Sequence, residues 1–307
     1  METLEWETFE FADSPKWDKR FDDTDEGIHV AANGEEWQDI EAREEVEDRK
    51  LQERFARQHQ AWVTIDPELV KRATNVLLPF VMPDRWEKIQ SVFQKRTQNA
   101  RFLFENPANP SNVWACLRTL DSFGIQHVDV VIQSGKYKGK AAISQKRGMR
   151  TAMGSAKWLT LRNHLTTQHA LEAAAREEYH IVCTDVNPDS KDIREVNWEA
   201  SGKKLLVVMG NEQYGISDEV KAMADETFYL PMTGFAESFN LSVATAITCA
   251  HLSAVSRDGT GPLRPGDLDA HEHQTLLFRG ALNGLNRRTA LALFRKHGIE
   301  FTKDLML

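Results

Sequence analysis

Residues 205–210, Leu-Leu-Val-Val-Met-Gly, form an apolar run closed by glycine, and no other segment narrows the possible folds as far. A strand with one face in water alternates polar and apolar residues. A run with no polar position suits a strand covered on both faces, as in a parallel sheet between two layers of helices. The flanking sequence agrees. Short strands are predicted over 101–105, 127–133, 179–184, 204–210 and 226–230, and helices over 111–123, 166–178, 217–224 and 240–255. Gly124 is expected to end the first of these helices as a C-cap. This alternation predicts an α/β fold with a mostly parallel sheet and helices on both faces.

Helices are also predicted at both ends of that region. Asp66 followed by Pro67 reads as an N-cap and first turn, with a helix to about Leu78. Pro83-Asp84 opens a second helix to about Gln98, whose bases include Lys88, Lys95 and Arg96. Residues 271–299 add one or two helices bearing Arg279, Arg287, Arg288, Arg295 and Lys296. The expected organisation is an acidic extension at 1–60, a helical segment at 61–99, an α/β domain at 100–258 and a helical segment at 259–307.

The net charge of −8 is unevenly distributed. Residues 1–50 hold 18 acids and 6 bases, whereas the remainder holds 28 acids and 32 bases. The mildly basic remainder permits an RNA partner. The extension, highly charged and without sustained periodicity, reads as disorder or fluctuating helix: a solubilising tail, or a segment that competes with RNA for the basic surface. No run of about 18 apolar residues suggests a membrane-spanning helix. The opening residues lack the features of a secretory signal, so a cytoplasmic location is expected. Cys116, Cys183 and Cys249 are too far apart for a disulfide framework or a zinc site and read as buried free thiols.

Four segments carry chemistry. The first, residues 109–119, places Asn112 six positions before Arg118, about 120° around a regular helix. Arg118 lies in a helix expected to be largely covered, where a buried arginine needs a partner. It is either a structural ion pair or a cation aimed into a cleft. The second, residues 210–217, is a glycine-bracketed turn at the carboxyl end of a strand, where open α/β sheets bind ligands. Gly210 would let backbone approach a cofactor closely, and Glu212 is either a solvated loop carboxylate or an orienting group. The third, residues 230–246, offers Ser238 or Asn240 as the cap of a helix beginning near Leu241. The fourth, residues 134–158, carries Lys136, Lys138, Lys140, Lys146, Arg147, Arg150 and Lys157 without one acid, and reads as a solvated charge run or a phosphate-contacting loop.

In order and spacing, the first three segments resemble the SPOUT superfamily of RNA methyltransferases, most closely its TrmH branch of tRNA guanosine-2′-O-methyltransferases. Asn112, Arg118-Thr119 and Phe123-Gly124 match the first motif, Gly210-Asn211-Glu212 with Gly215 the second, and Pro231-Met232, Ser238 and Asn240 the third. The resemblance covers roughly residues 80–300. It implies a trefoil knot at the carboxyl end of the fold, a homodimer, and S-adenosylmethionine as cofactor, contacted by Thr184, Gly210, Leu230 and Phe239. Phe239 stands where the family usually has leucine, so a ring would line the adenine pocket. The implied catalytic set is Arg118, Asn112, Glu212, Ser238 and Asn240, with Arg118 promoting loss of the 2′-hydroxyl proton. The implied substrate is a guanosine in the D-loop of tRNA. Ribosomal RNA and a catalytically inactive RNA-binding scaffold are the alternatives.

Overall fold

The computed structural model describes residues 57–107, 110–131, 157–199, 202–256 and 260–302, together with positions 46, 50, 53 and 305. Residues 47–307 form one compact unit. Among the described residues, seven strands make one sheet: β1 (Thr97–Glu105), β2 (Ile125–Val131), β3 (Thr160–His164), β4 (His180–Thr184), β5 (Lys191–Asp192), β6 (Leu205–Met209) and β7 (Glu226–Tyr229). Their order is β3-β2-β1-β6-β4-β7-β5, and every pairing is parallel. All carboxyl ends therefore lie along one edge of the sheet.

The apolar run of β6 is covered on both sides, as expected. Leu205, Val207 and Met209 pack with Phe102 and Phe104 of β1 beneath two helices, α3 (Pro110–Ser122) and α6 (Leu241–Val255). Leu206 and Val208 face the opposite way, with Leu103, beneath α4 (Thr167–Arg176) and α5 (Asp218–Met223). All five side chains of β6 are at most 2% exposed, and each such burial stabilises the fold by about 2 kcal/mol. Gly124, at φ +79°, turns the chain from α3 into β2.

The terminal segments build a second core. α1 (Pro67–Leu77), α2 (Pro83–Phe93), α7 (Ala270–Asn283) and α8 (Arg287–Lys296) come from opposite ends of the chain. Val70, Ala73 and Leu77 of α1 meet Phe278 and Ala281 of α7 and Phe294 of α8. Asp66 caps α1, accepting from the Glu68 amide at 3.1 Å, and Asp269 caps α7, accepting from the Glu272 amide at 2.8 Å.

Two boundaries differ from expectation by several residues, and one polar strand was not foreseen. α2 stops at Phe93 rather than near Gln98, and β1 begins at Thr97 rather than Arg101. Two of the extra strand residues, Thr97 and Gln98, are polar and fall in the span expected to be helix. They are held by Asp267, which accepts from the Gln98 amide at 2.7 Å and the Thr97 hydroxyl at 3.1 Å. Arg96 is accordingly not a surface base. It is 1% exposed, donates to the carbonyls of Asp121 and Ile125, and pairs with the Asp121 carboxylate. Strand β3 was not expected, because its sequence, Thr-Leu-Arg-Asn-His, lacks an apolar pattern. Its Arg162 and His164 are paired within the fold. Asp129 of β2 lies 3.6 Å from Arg101, 3.7 Å from Arg162 and 3.5 Å from His164, while Glu177 bonds Arg101 at 2.9 Å and Arg162 at 3.0 Å.

Cys116, Cys183 and Cys249 are free and buried, and burial pushes the Cys116 thiol up to about 12. No described helix is long and apolar enough to cross a membrane.

Candidate active site

The carboxyl ends of β4, β6 and β7 open into one cleft enclosing about 880 Å³ of empty space, part of it continuous with solvent. Three segments bound it, each shaped by short-range chemistry.

The first boundary is the turn after β6. Asn211 and Gly215 exchange backbone hydrogen bonds at 2.9 Å, and the Asn211 side-chain oxygen accepts from the amides of Gln213 and Tyr214 at 2.8 and 3.0 Å. Gly215 sits at φ +71°, where a side chain would be strained. The turn folds back so tightly that a Cβ on Gly210 would stand 2.6 Å from the Gly215 carbonyl carbon and 2.7 Å from the Ile216 nitrogen. Gly210 thus admits a close backbone approach, but the approaching group is the chain's own loop.

The second boundary is the end of β4. The Thr184 hydroxyl donates to the Val208 carbonyl at 3.3 Å and accepts from the Gly210 amide at 3.2 Å, tying β4 to the start of the turn. The third is the segment after β7. Leu230 and Phe239 are half-buried on the cleft wall, and Ser238 is exposed along it. Asn240 caps α6, its side-chain oxygen accepting from the Ser242 amide at 2.9 Å and the Ser242 hydroxyl at 2.7 Å. Of the two expected caps, Asn240 fills the role and Ser238 faces the cleft.

All four expected cofactor residues, Thr184, Gly210, Leu230 and Phe239, line this cleft. The catalytic set divides. Glu212 and Ser238 line the cleft. Asn112, in the first turn of α3, donates its side-chain N–H to the Glu212 carboxylate at 2.8 Å, joining segments one hundred residues apart. Asn240 serves α6 and is not on the cleft wall. Arg118 does not hold the covered position expected of it: it is exposed and outside the lining set. The buried face of α3 is Val113, Cys116, Leu117 and Leu120, and Arg118 projects from another side of the helix. Lys136, Lys138, Lys140, Lys146, Arg147 and Arg150 lie outside the described residues.

Sequence reasoning missed two carboxylates of the wall, Asp185 and Glu237. Asp185 accepts from the Val186 amide at 2.9 Å and from the Asn187 side chain at 2.7 Å. Its signal was its place directly after Thr184 at a strand's carboxyl end. Glu237 adjoins Ser238 and had no signal of its own. Among the described residues, no group of three or more His, Cys, Asp or Glu side chains is arranged to hold a metal ion.

Fold and cleft together define a parallel α/β protein with a ligand site at the carboxyl edge of its sheet, built by the turns after β4, β6 and β7. The chain belongs to the SpoU rRNA Methylase family, whose model matches residues 99–250. It is similar to the tRNA (guanosine(18)-2′-O)-methyltransferase of Thermus thermophilus, with 32% identity over 53% of this chain and 78% of that protein. It is similar also to the enzyme of the same name from Aquifex aeolicus, with 30% identity over 66% of this chain and 90% of the relative. The crystal structure of the A. aeolicus TrmH/SpoU tRNA modifying enzyme matches with a TM-score of 0.55 and 26% identity, over 66% of this chain and 98% of that one.

Proposed function

We propose that this chain methylates the ribose 2′-hydroxyl of a guanosine in tRNA, at the D-loop position 18 that its relatives' names specify, using S-adenosylmethionine. One observation carries the reading. In a chain of this family, the Asn112–Glu212 pair joins the first and second motifs beside a cleft walled by the second and third.

The cleft fits the cofactor. Met209, Leu230, Phe239, Leu241 and Ala244 offer apolar surface for an adenosine, while Asp185, Glu212 and Glu237 supply negative charge for a molecule bearing cationic groups. When bound, S-adenosylmethionine supplies a methyl group activated by its positively charged sulfur. The chain's own residues do the rest. A ribose 2′-hydroxyl is a weak nucleophile and must lose its proton as it attacks. The Arg118 guanidinium stabilises the developing alkoxide. The Asn112–Glu212 pair holds the start of α3 against the turn after β6, and fixed placement of donor and acceptor supplies much of the acceleration.

The working unit in this reading is a homodimer. α6 is apolar on its outer side as well as its inner one: Val243 and Ile247 are 44% and 37% exposed, and Ala250 and Ala254, also exposed, continue the face. Such a stripe suits a second copy. The position of Arg118 outside the cleft of one chain is in keeping with a site completed at that interface.

RNA contact falls to Lys136, Lys138, Lys140, Lys146, Arg147 and Arg150. In sequence that segment follows Val131, the last residue of β2. Residues 100–258 act as the methyltransferase domain, with helical segments 61–99 and 259–307 sharing one core beside it and an acidic extension at 1–60. The location is the cytoplasm, where free thiols persist.

The test is methyl transfer from labelled S-adenosylmethionine to tRNA and rRNA transcripts by the parent and by Arg118→Ala. Transfer to tRNA, lost in the variant while cofactor affinity is kept, supports the proposal. Transfer to rRNA alone keeps the chemistry and moves the substrate. Equal transfer by the variant removes Arg118 from the reaction.

A further inference from the structure

We propose that Glu105, the last residue of β1, is a positioning residue that sets the Asn112–Glu212 pair by holding the turn that carries Glu212. The proposal rests on the methyltransferase reading above.

Glu105 is 2% exposed, and among the described residues no cation pairs with it. A carboxylate in such a place is costly unless donors satisfy it. Two do. One oxygen accepts from the Thr167 hydroxyl at 2.6 Å, at the start of α4, and the other accepts from the Ser217 amide at 2.9 Å, where the turn after β6 ends. The next residue holds the turn's other end. The Asn106 carbonyl accepts from the Asn211 side chain at 2.6 Å, while the Asn106 amide donates to the Val131 carbonyl at 2.9 Å. Asn106 adopts φ +43° to do so, a conformation that costs a non-glycine residue energy and persists only where its surroundings fix it.

The two consecutive residues at the end of β1 therefore grip the turn at Asn211 and at Ser217, and Glu212 lies between. The same strand leads directly into α3, whose first turn bears Asn112. The end of β1 is thus the common origin of both partners, and the 2.8 Å separation between Asn112 and Glu212 follows from it. Glutamate suits the position because it offers an acceptor to each of two donors. Alanine offers neither, and leaves the Ser217 amide without its partner. Glutamine offers one acceptor for the Ser217 amide and one donor that the Thr167 hydroxyl oxygen can accept.

The experiment measures steady-state methyl transfer to tRNA, cofactor affinity and thermal unfolding for the full chain and its variants. Glu105→Ala is expected to lower kcat roughly 10- to 100-fold through misplacement of the turn. Its KM for tRNA should stay within about two-fold, because RNA contacts lie elsewhere. Glu105→Gln is expected to restore most of the rate. Thr167→Val removes the bond to α4 but keeps the one to the turn, so it should reduce thermal stability and leave kcat within about three-fold. Parental kcat in Glu105→Ala, or rate losses in Glu105→Ala and Thr167→Val that simply track their stability losses, would overturn the proposal. If Glu105→Ala does not fold, Asn211→Asp keeps the acceptor of the turn but cannot donate to Asn106. Reduced kcat at parental cofactor affinity then supports the grip, and parental kcat overturns it. A parent inactive on both tRNA and rRNA overturns the methyltransferase reading, and this proposal with it; an active parent with indifferent variants overturns this proposal alone.

Discussion

Replacing Gly210 by alanine tests whether the turn after β6 is packed as tightly as the geometry indicates. The new Cβ would meet three backbone atoms, at 2.6, 2.7 and 2.8 Å. Carbon atoms in contact prefer about 3.5–4.0 Å, so the turn must retreat by about 1 Å. No flexible side chain can move aside instead. Overpacking of this kind costs about 1–3 kcal/mol, which for a chain of this size lowers the melting temperature by about 2–5 °C. The functional loss should be larger, because the retreat carries Glu212 away from Asn112, and misplacement by 1 Å costs on the order of 100-fold in rate. Two other glycines calibrate the result. At Gly215 a Cβ meets nothing within 4 Å, but φ is +71°, so alanine there costs about 1–2 kcal/mol of strain without a clash. At Gly234 a Cβ meets nothing and φ lies outside the left-handed region, so alanine should be near neutral. Differential scanning fluorimetry and methyl-transfer kinetics on the three variants should rank them Gly210, Gly215, Gly234 from most to least affected in rate. A Gly210→Ala enzyme with parental kcat and cofactor affinity would refute the packing argument, as would Gly215→Ala proving the worse of the two.

The remaining predictions concern the core, the interface and the reacting groups. Burial tends to raise the Asp129 carboxyl, but Arg101, Arg162 and His164 outweigh it and hold its pKa well below the usual range. A lowered folded value means the stabilisation is fully present above the ordinary carboxylate pKa and is lost as pH falls below it. Asp129→Asn should therefore cost about 3 kcal/mol near pH 7, measured by urea unfolding, and the gap to the parent should narrow below about pH 4. A gap that stays constant across that range would show the ion cluster is not its source. Ile247→Glu puts a charge in the exposed apolar stripe of α6 and should give a monomer in analytical ultracentrifugation; an unchanged mass would remove that face from the dimer. Asn112→Ala breaks a hydrogen bond to a carboxylate worth about 1.5–3 kcal/mol and should reduce kcat at least ten-fold in the transfer assay, while a parental rate would show the pair is incidental.

Much of this could be read from the residues. The apolar run of β6 announced a strand covered twice, and both sides of it are packed. The family resemblance assigned Thr184, Gly210, Leu230 and Phe239 to one site, and all four line one cleft, although 46 positions separate Thr184 from Leu230 along the chain. What periodicity missed was polar. The opening of β1 and most of β3 are built from Thr, Gln, Asn, Arg and His, whose burial depends on partners distant in sequence, Asp267 for one and Asp129 for the other. Local pattern cannot supply such partners, so these strands looked like helix end and loop. The expected burial of Arg118 fails in the opposite sense. It follows buried Leu117 in a helix with a strong core face, yet the helical turn carries it outward. The role of Glu105 was likewise out of reach, because its donors, Thr167 and Ser217, are 62 and 112 residues away.

The central claim is that this cleft serves ribose methylation of a tRNA guanosine. It is tested most directly by incubating the protein with S-adenosylmethionine and unmodified tRNA, then digesting the product and identifying the modified nucleoside and its position by mass spectrometry. The account predicts 2′-O-methylguanosine at position 18, and none with Arg118→Ala. A methyl group on a base, on another nucleoside, or no incorporation by a protein that binds S-adenosylmethionine normally would contradict it.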